Sequence, residues 1–214
     1  MPPTFLKNQT FKNRVLATVA ADVCAHLPGC ISAIVYAAGL PYIGPIMNEV
    51  GTPLILGFIP GFYSTDDVLL SANTKIAFIE SLFNDPDNVP VSIKWAWLGS
   101  STLQKPNDCQ LVLSRPQDSG RLFEAGAKGL PLLLINGSAD TQVQGRVVAR
   151  IMKPQFTNIE VHTIEGGSHT MFYDNEAEFV RVLVAFSRRI VKKGMREQFD
   201  SPNGRDDAPQ RSID

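Results

Sequence analysis

A chain of 214 residues with 44% hydrophobic and 19% charged residues has the size and balance of one globular domain, not of a disordered segment. A net charge of −1 offers no basic surface, so no nucleic-acid or anionic-membrane partner is expected. Three cysteines, Cys24, Cys30 and Cys109, are an odd number without metal-ligand spacing, which fits a reducing compartment. The opening MPPTFLKNQTFKNR lacks the apolar core of a signal peptide. No window approaches the roughly 18 apolar residues of a transmembrane helix. A soluble, cytoplasmic protein with no cofactor and no metal is the expectation.

Residues 1–13 show no period and read as irregular. From Val15, the residues Leu16, Val19, Ala20, Val23, Cys24 and Leu27 recur at three- and four-residue steps, one face of a helix that Pro28-Gly29 ends. The run ISAIVY (31–36) follows, nearly all apolar, as suits a strand covered on both faces of a parallel sheet. Glycines and prolines then punctuate short apolar pieces from Gly39 to Gly61. Helices are predicted over 66–83, with Ser64 or Thr65 as cap, over 91–98, and over 118–128, where Gly129 stops the last. The segment 42–127 reads either as a helical lid over a ligand cleft or as an ordinary helical excursion with its own aromatic core. Trp95, Trp97, Phe58, Phe62 and Tyr63 accordingly line an acyl or aromatic pocket or fill that core.

The stretch 131–169 carries the candidate chemistry. PLLLINGSAD (131–140) is an apolar strand that stops at Asn136-Gly137 and delivers Asp140. A helix over 143–152 is stopped by Pro154. IEVHTIEGGSH (159–169) is a second strand that stops at Gly166-Gly167 and delivers His169. Ligands gather outside the carboxyl ends of the strands in parallel α/β sheets. An acid and an imidazole placed there can pair as the orienting half of a nucleophilic triad. His162, inside the strand, reads as structural, and His26, at a helix end, carries no chemistry. Asn175, with Glu178 three residues on, predicts a capped helix with an apolar stripe of Phe179, Val182, Leu183, Phe186 and Ile190. The tail 195–214 is charged, contains Pro and Gly, and is expected to be disordered.

Three segments together resemble the C-terminal part of an α/β-hydrolase: ATVAADVCAHLPGCISAIVYAAGLP (17–41), GLPLLLINGSAD (129–140) and EGGSHTMFYDNEAEF (165–179). That resemblance implies a partial α/β-hydrolase fold of class α/β, a mostly parallel sheet with helices on both faces and a helical lid. It implies a serine-type hydrolase of small-molecule esters or acyl compounds, with Asp140 as the triad acid and His169 as the base, in the chain order Ser…Asp…His. One part departs from the pattern. The family's G-x-S-x-G elbow would fall on Lys12-Asn13-Arg14-Val15-Leu16, where neither glycine nor serine is present. The chain therefore reads as a single truncated domain over 1–214, the product of a shortened gene, a splice variant or an incomplete gene model.

No other residue replaces the serine convincingly. Ser100-Ser101 follow no strand, Ser168 neighbours His169 but points elsewhere, and Cys24 sits on an apolar stripe. The alternative function is a catalytically inactive remnant that serves as a binding or interaction module. Three candidate strands (31–36, 131–135 and 159–164) make a small sheet, so self-association through an exposed sheet edge is expected.

Overall fold

A computed structural model describes the backbone of residues 12–199 and the side chains of residues 18–192. Among the described residues the sheet has three strands, β1 (Ile34–Ala37), β2 (Leu132–Gly137) and β3 (Ile159–Ile164), all parallel and in that order. The register sets Ile34 beside Leu132 and Leu132 beside Ile159. Parallel neighbours need long crossovers, and here each crossover is helical.

Strand alternation sends side chains to two different cores. Ile34, Tyr36, Leu132 and Leu134 pack against α1 (Lys12–His26), α8 (Gly120–Ala127) and α9 (Gly145–Met152), through Ala21, Cys24, Leu122, Val148 and Met152. Leu133, Ile135 and Ile164 pack on the opposite face against Phe186 and its neighbours on α11 (Glu176–Phe199). Helices therefore cover both faces. Leu132 to Ile135 are almost wholly removed from water. Burial of such side chains is worth about 1.5–3 kcal/mol each, which makes β2 the axis of the sheet.

Between β1 and α8 the chain forms six helices: α2 (Ile46–Val50), α3 (Pro53–Gly57), α4 (Ile59–Tyr63), α5 (Val68–Glu80), α6 (Val91–Thr102) and α7 (Pro106–Ser114). They hold a third core, in which Phe78, Ile79, Leu82, Phe83 and Val89 meet Phe58, Phe62 and Trp97. Phe62 and Phe78 meet edge to face at 5.2 Å, and Phe83 stacks on Trp97 at 5.0 Å. A last short helix, α10 (Met171–Asp174), precedes α11.

Several boundaries differ from the expectation. The first strand begins at Ile34, not Ile31, and α6 continues to Thr102, with Ser100 and Ser101 returning their hydroxyls to carbonyls of their own helix. The cap of α5 is Asp67, whose carboxylate accepts Leu70 N–H at 2.8 Å. Ser64 instead closes the preceding turn onto Asp67. Glu178 makes no capping box with Asn175: the Asn175 N–H donates to Met171 O at 2.9 Å, and the Glu178 carboxylate pairs with His162 at 2.7 Å. Gly129 ends α8 as expected, with φ +98° and the paired bonds Leu130 N–H to Ala125 O and Gly129 N–H to Gly126 O. Helix α11 runs past residue 195 to Phe199, and residues 200–214 lie outside the described residues. Among the described residues, no helix is long and apolar enough to cross a membrane.

Candidate active site

Two strand exits lie side by side at the carboxyl end of the sheet. Beyond β2, Ser138 N–H donates to Ile164 O and Ala139 N–H to Gly167 O, both at 3.0 Å. Beyond β3, Gly166 turns with φ +67°, and its N–H donates to Ser138 Oγ at 2.8 Å. The two glycine turns touch. A Cβ on Gly137 would stand 2.1 Å from Gly167 O, so only glycine permits this approach.

This stitching brings Asp140 to His169. His169 Nδ1 lies 3.0 Å from Asp140 Oδ2 and 3.1 Å from Oδ1. The Asp140 side chain is 3% exposed and that of His169 is 9% exposed. Asp140 Oδ1 also accepts the N–H groups of Gln142 at 2.8 Å and Val143 at 3.0 Å. An ionised carboxylate can only accept, so Nδ1 carries the hydrogen in this pair and Nε2 is left as the basic nitrogen.

His169 borders a cavity of about 420 Å³. Its walls are mostly apolar: Ile43, Met47 and Val50 come from the segment after β1, and Phe62, Phe78 and Trp97 from α4, α5 and α6. Thr18, Gln142 and Thr170 add polar atoms. At the exit of β1, Ala38 takes φ +47°, a conformation sparsely populated by non-glycine residues. It is buried, its N–H donates to Ile135 O at 2.9 Å, and it lines the same cavity.

The aromatic residues divide. Phe62 and Trp97 line the cavity and also belong to the helical core, so both sequence readings apply to them. Phe58 packs in that core, while Trp95 is 71% exposed. The serines of α6 do not reach the cavity, and Ser168 Oγ donates to Asp174. Burial pushes the Cys24 thiol up. It does the same to Cys109 at the cavity wall, where nearby Lys75 opposes it less strongly. A thiol kept protonated is a poor nucleophile. Among the described residues, no group of three or more His, Cys, Asp or Glu could hold a metal ion.

The residues that sequence reasoning missed are Gln142, Thr170 and Ala38. Each follows a glycine-turn motif or strand end within a few positions, but nothing local distinguishes it.

No protein-family model matches the chain, and no curated protein matches it. Solved structures do. A proposed aryl esterase from Burkholderia cenocepacia superimposes with a TM-score of 0.70 at 18% identity, over 82% of this chain and 62% of its own. The esterase RhEst1 from Rhodococcus sp. ECU1013 gives 0.69 at 19% identity, over 79% and 61%. A bromoperoxidase from Bacillus anthracis gives 0.62 at 20% identity, over 79% and 63%. The chain therefore has the α/β-hydrolase fold in part, and it spans under two thirds of the length of these proteins.

Proposed function

We propose that the chain is an ester or acyl hydrolase of the α/β-hydrolase type, with Asp140 as the acid, His169 as the base and the helices of 42–127 as a lid. The observation that carries this reading is the buried Asp140–His169 pair, 3.0 Å apart, at the wall of an apolar cavity. Esterases among the structures of similar fold support the substrate class.

The chemistry follows from the tautomer. Asp140 holds the hydrogen on Nδ1 and stabilises the imidazolium that forms when Nε2 takes a proton. With no serine at 12–16, the proton comes from water. The water oxygen forms a bond to the ester carbonyl carbon as Nε2 accepts its hydrogen. Collapse breaks the carbon–alkoxy bond, and the imidazolium returns a proton to the departing alkoxide. Loss of a serine nucleophile costs about 10⁶ in turnover in subtilisin, so the expected rates are low.

The test is hydrolysis of short-chain p-nitrophenyl esters by the 214-residue chain. His169→Ala and Asp140→Asn should each lower the rate at least about tenfold, since general-base catalysis contributes about 10²–10⁴. Equal rates in the wild type and His169→Ala would end the proposal. A second reading, a binding module without turnover, is favoured by the sequence KNRVL at 12–16, which has neither glycine nor serine, together with the mostly apolar cavity. Under that reading the chain binds a fluorescent fatty acid in this cavity and leaves every ester uncleaved.

A further inference from the structure

Both loops that carry the pair are tied to one short piece of chain outside the sheet, the end of α5 and the turn after it, residues 78–84. On the Asp140 side, Thr141 Oγ1 donates to Ser81 O at 2.8 Å. Gln142 Nε2 donates to Ser81 Oγ at 2.8 Å and to Phe78 O at 3.5 Å. On the His169 side, Thr170 directs its N–H at 3.2 Å and its hydroxyl at 2.9 Å to the same Leu82 O. Asn84 Nδ2 donates to Gly166 O.

Gln142 is the node of this arrangement. It is wholly buried, its N–H sits on Asp140 Oδ1 at 2.8 Å, and its carbonyl accepts Thr52 N–H at 3.0 Å. Its side-chain Oε1 is buried without a partner. A buried, half-satisfied amide is costlier than an apolar residue of the same shape. Packing alone does not call for glutamine at this position; a donor bridging α5 to the Asp140 loop does.

We propose that Gln142 is a positioning residue for the acid–base pair. It anchors the Asp140 loop to the end of α5, the same turn that holds the His169 loop through Thr170, and so sets the separation of Asp140 from His169. The inference rests on the acid–base reading of that pair. Gly137 and Gly167 bring the loops together at one point, and the turn at 81–84 supplies the second point that fixes their angle. A displacement of α5 would then move both partners at once, linking the helices over the cavity to the state of the imidazole.

The test reads the imidazole directly. In the wild type, the Nδ1 hydrogen held by Asp140 gives a low-field proton NMR resonance that Asp140→Asn removes, which assigns it. Gln142→Met, close in volume but unable to donate, should abolish that resonance while circular dichroism and cooperative melting stay as in the wild type. Ser81→Ala leaves Gln142 in place and removes one of its acceptors. There the resonance should persist but exchange with solvent about tenfold faster, reporting local opening. A wild-type resonance and exchange rate in Ser81→Ala and in a folded Gln142→Met overturn the proposal, as does a wild type with no resonance at all. A wild type that shows the resonance but no His169-dependent hydrolysis defeats the acid–base reading alone, and the variants still decide the role of Gln142.

Discussion

Asp140 Oδ1 accepts two backbone N–H groups of its own loop besides facing the imidazole, so its orientation is set before His169 arrives. What lets the histidine arrive is the absence of a side chain. Gly137 and Gly167 leave their backbones in contact, and a methyl group at 137 would collide with a carbonyl that has no freedom to move. Gly137→Ala should therefore destabilise the fold by about 2–4 kcal/mol, as overpacking against backbone does. Gly99, inside α6 with nothing within 4 Å of an added Cβ, provides the contrast. There alanine should stabilise by about 0.5–1 kcal/mol through its helical preference. Urea midpoints of the two variants decide the matter; a midpoint for Gly137→Ala no lower than that of the wild type would discard the close-approach argument.

At the level of elements, α1 lies on β1 through Cys24 and Tyr36. Burial pushes the Tyr36 phenol far up, and the neighbouring Cys24 thiol adds to it when ionised. Burial also raises Cys24 above its ordinary 9.0. The sign follows from proton linkage. In the unfolded chain these groups lose their protons near 9.0 and 10.0, while the folded chain still holds them. The folded state then binds more protons, and stability falls as pH rises above about 9. Denaturant midpoints measured from pH 8 to 11 should decline. Tyr36→Phe also gives up the hydroxyl bond to Pro41 O at 3.3 Å, but it should flatten the part of the decline above pH 10. A decline of the same steepness in that variant would remove Tyr36 as its cause. The pairing of α11 with β3 shows the same economy. Glu178 holds His162 on the strand, and at the start of the same helix Asn175 Oδ1 is buried without a partner.

For the whole molecule, the outer edges of the sheet are the feature that bears on association. Among the described residues, β1 and β3 each pair only with β2, and each has an outer edge of backbone N–H and C=O groups. Such edges recruit further strands. Val161 on β3 is 37% exposed, and Leu69, Trp95 and Leu103 on or beside α5 and α6 are exposed by 70% or more. Association of the chain with itself is the expected outcome, read as a weight-average mass that rises with concentration in sedimentation equilibrium. A constant monomer mass up to high concentration would rule it out. The likeness in fold to esterases and a bromoperoxidase at 20% identity or less speaks for the scaffold, and one scaffold hosts many reactions.

The order of helices and strands is written locally. The strand at 131–135 is read correctly because a fully buried strand declares itself as an apolar run. The strand at 159–164 is half-buried and is read from its β-branched residues and the glycine turn after it, and Gly129 and Gly166 mark the turns they make. Asp140 and His169 stand out for the same reason, each sitting just past a strand and a glycine turn. Their meeting is another matter. It depends on a contact between two glycine turns and on bonds that join Thr141 to Ser81 across 60 residues and Thr170 to Leu82 across 88. Neither Gln142 nor Thr170 carries a local signal, because each is defined by a partner on α5 or in the turn beyond it. The sequence by itself determined the strands, the turns and the two polar residues they deliver. Only the tertiary structure decided the distance between those residues and the cavity that His169 borders, since both arise from packing between segments far apart in the chain.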